Sequence, residues 1–334
     1  MKVAVFSAKP YDRTFLEEAN RGRLELVFFE VRLDETTCRL ARDFPFVCTF
    51  VNDRLDRETL RLLFDGKTRM LALRCAGFNN VDFYSVKHLG FTVARVPDYS
   101  PNSISEYTVG LMLALARKIC KAYNRTREGN FALSGLLGFN LCDRRAGVIG
   151  TGRIGALVAK ALLGLGCEVR VSDPFPNPEL VALGLPYVER NEILETCNIV
   201  TLHCPLTPET RHLINQDAVK KMRDQVMLVN TSRGALVETA AVIEGLKSGK
   251  IGSLAIDVYE EEGDLFFEDY SDRIIQDDTL ARILNFPNVI VTGHQAFFTV
   301  EAMKSISERT IANILAWQNG EVPPGYLSPE AGGK

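Results

Sequence analysis

The sequence predicts an α/β protein of two domains, each a parallel sheet flanked by helices. Short apolar runs of strand length alternate with amphipathic runs of helix length along nearly all of its 334 residues. Such alternation builds parallel sheets with helices on both faces. The length is about two domains' worth. A strand–turn–helix unit of its own opens at Gly147, after one complete α/β unit has already run.

Composition narrows the class. The chain is 46% hydrophobic and 24% charged, enough apolar material to bury sizeable cores. A net charge of -3 offers no basic footprint to nucleic acid or an anionic membrane. No apolar run is long enough to span a bilayer. Met1 to Ser7 reads as a short first strand, not a secretory signal. The 8 cysteines contain no C-x-x-C pair, so no zinc ribbon, other metal site or redox pair is expected. Reduced, buried thiols in a cytoplasmic protein are the expectation.

The first unit reads strand (3–6), helix (11–19), strand (24–30), strand (46–51), helix (59–64), strand (71–75), helix (83–89) and strand (90–96). Pro97 and Pro101 around a polar core then mark a boundary. Ser103 and Glu106 have the spacing of a capping box, so a helix is expected to start at Ser103. Its apolar residues, Val109 to Ala116, cover much of the circumference. That means burial within its own domain or at a contact with a second copy. Further strands fall at 168–172, 198–203, 226–230, 252–258 and 288–292, and helices at 239–246 and from Val300. The polar stretch 321–334 is expected to be loosely ordered at its end.

The chemistry starts at Gly150-Thr151-Gly152-Arg153-Ile154-Gly155. This G-x-G-x-x-G lies between the apolar pair Val148-Ile149 and the helical run from Ala156. Gly150 permits the tight turn, Gly152 lets the backbone approach a pyrophosphate, and Gly155 lets helix pack on strand. The helix N-terminus supplies N–H groups to the phosphates. About twenty residues on, Asp173 ends a strand where a carboxylate binds ribose hydroxyls and repels a 2′-phosphate. The reading is NAD; a turn cap at Asp173-Pro174 is the bland alternative.

Other strands end in polar clusters, and ligands bind beyond the carboxyl ends of parallel strands. Arg233 follows one strand, and its planar fork suits a carboxylate; pairing with Glu238 is the structural alternative. Four histidines are present, at 88, 203, 212 and 294. His88 and His212 read as surface residues. His294 and His203 end strands and rank first and second as proton donors near neutral pH. Glu260, Glu261 and Glu262 all follow Asp257, and spacing does not choose which one supports an imidazole.

Taken together, these residues resemble the D-isomer-specific 2-hydroxyacid dehydrogenases. Within that family the likeness is to the NAD-dependent fermentative D-lactate branch. It covers nearly the whole chain. Its carriers are Arg74 to Asp82, Val148 to Gly152, Leu202 to Thr207, Asn230 to Ala235, Asp257 to Glu260, and above all Asp264 to Asp269 and Gly293 to Phe297. The resemblance implies Arg233, Glu262 and His294 as the catalytic set. It implies substrate contacts at Ala76, Gly77, Tyr99, Arg233 and His294. Cofactor contacts are implied at Gly150, Gly152, Arg153, Ile154, Gly155, Asp173, Cys204, Pro205, Thr210, Thr231, Ser232, Arg233 and Asp257. It also redraws the domains: residues 1–100 and 298–334 form a discontinuous flavodoxin-like substrate domain, and 101–297 a Rossmann NAD-binding domain. The activity implied is reversible hydride transfer between NADH and pyruvate, giving D-lactate, in a homodimer or homotetramer. A bulkier 2-keto acid or hydroxypyruvate is the alternative substrate. An NAD-sensing regulatory protein is the alternative of another class. Two positions depart from the family pattern: Tyr107 stands where many members carry histidine, and Phe298 where some carry tyrosine.

Overall fold

The computed structural model describes residues 1–330, the side chain of Asp264 excepted. They divide into two compact units, Met1–Ser100 with Phe298–Lys334, and Pro101–Phe297.

The first unit contains β1 (Lys2–Val5), α1 (Pro10–Asn20), β2 (Glu25–Phe28), β3 (Phe46–Thr49), α2 (Arg57–Asp65), β4 (Met70–Leu73), α3 (Phe83–Leu89) and β5 (Thr92–Arg95). The helix Val300–Gln318 and a terminal strand, Tyr326–Leu327, complete it. The sheet order is terminal strand, β5, β4, β3, β1, β2. The chain runs from β1 outward to β2 and then back to β3, which creates a switch point between β1 and β3. β3 and β4 are buried on both faces, as central parallel strands must be. Side chains alternate between two cores. Val47, Leu71 and Leu73 meet Leu60 and Leu63 of α2, while Phe46, Cys48 and Met70 meet Leu16, Ile311 and Ile314. Asp56 and Asp82 start α2 and α3 by accepting backbone N–H bonds.

The second unit contains α4 (Pro101–Arg117), α5 (Ile119–Arg127), β6 (Arg145–Ile149), α6 (Arg153–Gly164), β7 (Glu168–Ser172), α7 (Pro178–Ala182), α8 (Arg190–Thr196), β8 (Ile199–Leu202), α9 (Gln216–Lys221), β9 (Val226–Asn230), α10 (Thr239–Lys247), β10 (Ile251–Ile256), α11 (Asp278–Leu284) and β11 (Val289–Val291). Its sheet runs β11, β10, β9, β8, β6, β7, parallel throughout. Here the switch point lies between β6 and β8, so the loops after these two strands frame the place for a ligand. Two cores cover the faces, one under α8, α9 and α10, the other under α4 and α6.

The start of α4 differs from the expectation. α4 begins at Pro101, not Ser103, which is buried inside its first turn. Proline's fixed φ suits the first helical position, so it opens the helix without the capping box. Leu111, Met112, Leu115 and Ala116 pack into the unit's own core, so burial of α4 needs no second copy on that side. The polar stretch carries ordered structure ahead of its end. Tyr326 and Leu327 pair antiparallel with Ala94 and Val93, covering the edge of β5; the expectation for the last residues, 331–334, lies outside the described residues.

Candidate active site

The glycine turn is built by close packing. Gly150 has φ +93°, and a Cβ there would lie 2.5 Å from the Cys204 nitrogen and the His203 carbonyl carbon. A Cβ on Gly155 would meet the Gly150 oxygen at 1.9 Å. Both positions exclude any side chain. Gly152 differs, because a Cβ there would meet nothing within 4 Å. The protein itself does not require glycine at 152, and the open space adjoins the N-terminus of α6, which no side chain caps. Bare amides beside a space that a side chain would fill are what a pyrophosphate needs. The residues therefore fit a dinucleotide.

Asp173 ends β7 and faces this turn. Its Oδ2 accepts from Thr151 N–H at 2.6 Å, and its Oδ1 from Phe175 N–H at 2.8 Å. The capping role is thus real, and it fixes the carboxylate against the glycine turn. Behind it, Asn177 Nδ2 donates to the Thr151 carbonyl (3.0 Å) and Tyr187 Oη to Thr151 Oγ1 (3.1 Å). Tyr187 and Asn177 carry no sequence signal that singles them out.

Across the switch point, His203 is half-buried beneath the turn, and its Nε2 bonds Thr201 Oγ1 at 2.9 Å. Burial pushes its imidazolium down to about 3. The second-ranked histidine thus packs against Gly150 and Gly155, with its Nε2 engaged by Thr201. Cys204 is buried, and burial raises its thiol to about 11. Thr210 Oγ1 closes the following turn by donating to the Pro205 carbonyl at 2.7 Å. Ser232 Oγ donates to the Cys204 carbonyl (2.8 Å), tying the β8 and β9 loops together, and Thr231 bonds Thr108 (2.7 Å), tying the β9 loop to α4.

Asn230, buried at the end of β9, shapes the loop that carries Arg233. Its Oδ1 accepts from Ser232 N–H (3.0 Å) and its Nδ2 donates to the Arg233 carbonyl (2.8 Å). The Arg233 guanidinium donates Nη1 to the Ser232 carbonyl at 2.7 Å. Among the described residues its Nε and Nη2 donors meet no protein acceptor, and no carboxylate pairs with it. Glu238, the expected alternative partner, accepts instead from Gln216 N–H at 3.3 Å.

Of the three glutamates, Glu262 is the one that reaches His294. Glu262 opens a short 3-10 turn, Glu262–Asp264, and its Oε1 lies 2.8 Å from His294 Nδ1. Its Oε2 accepts from Tyr259 N–H at 2.9 Å. Glu260 is engaged elsewhere, with His212 Nε2 and, at 3.5 Å, with Arg211. His212 is therefore hydrogen-bonded and half-buried, not a solvated surface residue. His294 has φ +52°, a left-handed conformation held by Asp257. The Asp257 carbonyl accepts from His294 N–H (2.7 Å), and its carboxylate from Gln295 N–H (2.9 Å), Ala296 N–H (2.8 Å) and Thr292 Oγ1 (2.6 Å). Burial raises the Asp257 carboxyl, against these bonds. Phe267, also left-handed at φ +71°, sets its ring 5.8 Å from the imidazole. Tyr107 accepts from Gln295 Nε2 at 2.7 Å, so the departure from histidine at 107 bears on the residue next to His294.

Ala76, Gly77 and Tyr99 lie in the first unit, the first two in the loop after β4 and the third beyond β5. All eight cysteines are free; six are buried, whereas Cys120 and Cys142 are exposed, contrary to the expectation of burial. Among the described residues no cluster of three or more His, Cys, Asp or Glu side chains is arranged to hold a metal ion. No helix among them is long and apolar enough to cross a membrane.

Comparison with known proteins identifies the family. Residues 109–296 match the D-isomer specific 2-hydroxyacid dehydrogenase, NAD binding domain. The chain is 49% identical to a 2-hydroxyacid dehydrogenase homolog of Haemophilus influenzae, over 98% of this chain and all of that one. It is 47% identical to D-lactate dehydrogenase of Escherichia coli, again over 98% of this chain and 100% of its relative. Among solved structures, the pyruvate reductase of Chlamydomonas reinhardtii superposes with a TM-score of 0.93 at 41% identity, covering 97% of this chain and 98% of that one.

Proposed function

The chain belongs to the D-isomer specific 2-hydroxyacid dehydrogenases, NAD-dependent oxidoreductases, and from that premise we propose that it is a D-lactate dehydrogenase reducing pyruvate. The observation that carries the reading is the 2.8 Å contact of His294 Nδ1 with Glu262 Oε1 at the carboxyl end of the nucleotide-binding sheet. An ionised carboxylate only accepts, so Nδ1 carries a hydrogen and Nε2 is left for the substrate. NADH, when bound, supplies the hydride. His294, protonated, donates from Nε2 to the keto oxygen and gives up that proton as the carbon is reduced. Glu262 orients the ring and stabilises its protonated form. Arg233 forks the substrate carboxylate with its free Nε and Nη2 edge. Ala76, Gly77 and Tyr99 are proposed as the remaining substrate contacts.

Proposed cofactor contacts are Gly150, Gly152, Arg153, Ile154, Gly155, Asp173, Cys204, Pro205, Thr210, Thr231, Ser232, Arg233 and Asp257. In this reading residues 101–297 are the NAD-binding domain, and 1–100 with 298–334 the substrate domain. Asp173 discriminates NADH from NADPH. Asp173→Asn keeps an acceptor for Thr151 N–H but loses the charge. It should relax the preference for NADH by about tenfold, the order of one charge-assisted hydrogen bond. The ratio of kcat/KM for the two cofactors measures this, and an unchanged ratio would move discrimination to another residue.

The activity itself is tested by NADH absorbance decay with pyruvate, hydroxypyruvate and 2-ketoisocaproate in parallel. Pyruvate should be reduced fastest. Faster decay with a bulkier acid would change the substrate, and no decay with any would favour an NAD-sensing regulatory protein. We also propose a homo-oligomer, dimer or tetramer. Phe131, Leu133 and Leu137 are 77%, 82% and 87% exposed on the segment after α5, apolar surface that a second copy would cover. Sedimentation of the same preparation should give a multiple of 37.2 kDa. Eight free thiols support a cytoplasmic location.

A further inference from the structure

Three successive carbonyl groups in the loop after β4 are turned into the body of the first unit. The Cys75 carbonyl accepts from Val96 N–H at 3.1 Å, the Ala76 carbonyl from Arg95 Nη1 at 2.7 Å, and the Gly77 carbonyl from Cys75 Sγ at 3.3 Å. In a trans peptide the C=O and the following N–H point in opposite directions within one plane. No described peptide is cis. Each inward carbonyl therefore turns the next N–H outward, at Ala76, Gly77 and Phe78. Among the described residues none of these three N–H groups has an acceptor. Amides that face outward without a protein acceptor are donors that an anion can take.

Of the three bonds that hold this arrangement, only the one from Arg95 is charged. Arg95 is half-buried at the end of β5, and its own backbone is clamped. Its N–H donates to the Gly325 carbonyl (2.9 Å), its carbonyl accepts from Asn313 Nδ2 (3.0 Å), and it pairs in register with Leu73 of β4. A Cβ on Gly325 would lie 1.9 Å from the Arg95 oxygen, so the terminal strand can approach only through glycine. The guanidinium also lies over the Phe78 ring, 4.9 Å from its centroid. One side chain thus grips the loop at both Ala76 and Phe78, on either side of Gly77.

We propose that Arg95 is a positioning residue for the substrate carboxylate. It locks the Ala76–Gly77 peptide plane so that Gly77 N–H faces the anion, and its charge at the carbonyl end polarises that same peptide into a better donor. Arg95 does not touch the reacting atoms. The proposal rests on the reading above that a 2-keto acid is the substrate and Gly77 one of its contacts. The sequence offers no hint of this role, because an arginine ending a strand looks like any solvated strand end.

The test is steady-state kinetics of the full-length Arg95→Ala, Arg95→Gln and Arg95→Lys enzymes, with NADH affinity measured by fluorescence titration. Arg95→Ala should raise KM for pyruvate about tenfold or more with kcat within about twofold, the pattern of lost uniform binding. The dissociation constant of oxamate, a non-reducible carboxylate analogue, should rise in parallel, and NADH affinity should not move. Arg95→Lys restores a cationic donor to the Ala76 carbonyl and should recover much of the loss. Arg95→Gln, a donor without charge, should fall between. An active wild type with unchanged KM in Arg95→Ala would overturn the proposal. So would kcat and NADH affinity falling together in all three variants, which marks a general loss of structure. A wild type inactive with every 2-keto acid would instead overturn the activity reading and this proposal with it.

Discussion

Replacing His294 by alanine is expected to lower turnover of pyruvate by about 10²–10⁴-fold, the usual contribution of a positioned general acid. NADH affinity should stay within a few-fold, because in the proposed mechanism the imidazole serves the keto oxygen and not the nucleotide. The size of the effect follows from how fully the ring is organised. Glu262 Oε1 holds Nδ1 at 2.8 Å, and the second carboxylate oxygen is fixed by Tyr259 N–H at 2.9 Å. The backbone of His294 is held left-handed by a 2.7 Å bond to the Asp257 carbonyl. Ring position is therefore set by three anchors before any substrate arrives, which is the preorganisation catalysis requires. Glu262→Gln separates orientation from charge. The amide still bonds Nδ1 but no longer stabilises a protonated ring. A charge-assisted bond is worth about 1.5–3 kcal/mol, so turnover should fall roughly tenfold to a hundredfold, less than for His294→Ala. Stopped-flow single turnovers with NADH check both variants at the chemical step. A His294→Ala enzyme as fast as wild type would remove His294 from the mechanism.

Much of this was legible in the sequence because the signals are local. Strand–helix alternation, the Gly150–Gly155 spacing and Asp173 at a strand tip each depend on a few neighbouring residues. What was not legible depends on contacts between distant segments. Nothing in the spacing separates Glu260 from Glu262; the distinction arises because His212, 48 residues away, captures Glu260. His203 and His294 both end strands, yet one lies under the glycine turn and the other beside a carboxylate. Ser103 and Glu106 imitate a helix start, but Pro101 opens the helix two residues earlier. The two-residue strand at Tyr326 is too short to carry an alternation and exists only because β5 offers an unpaired edge. Arg95 and Asn230 act through backbone carbonyls and N–H groups, and a one-letter sequence is silent about which carbonyl a side chain reaches.

Arg233→Lys should have the second large effect, a loss of about a hundredfold in kcat/KM for pyruvate shared between KM and kcat. The substitution keeps the charge and removes the geometry. Arg233 spends Nη1 on the Ser232 carbonyl at 2.7 Å, which leaves the Nε and Nη2 edge as two parallel donors without a protein acceptor. That edge matches a carboxylate bidentately, and an ammonium on a flexible stem cannot reproduce it. The loop cannot shift to compensate. Asn230 bonds it at Ser232 and Arg233, and a Cβ on the adjoining Gly234 would lie 2.1 Å from the Tyr259 carbonyl, so residues 233–234 are wedged against the segment that leads to Glu262. A carboxylate held at one point instead of two lets the keto carbon drift, and a misplacement of about 1 Å costs roughly 10²-fold in rate. The fall in kcat as well as the rise in KM is the diagnostic part, since a simple loss of charge attraction would raise KM alone. Initial rates across a range of pyruvate concentrations separate the two. If Arg233→Lys matched wild type in both constants, the carboxylate would have to be held by other donors, and the free guanidinium edge would have no role in binding the substrate.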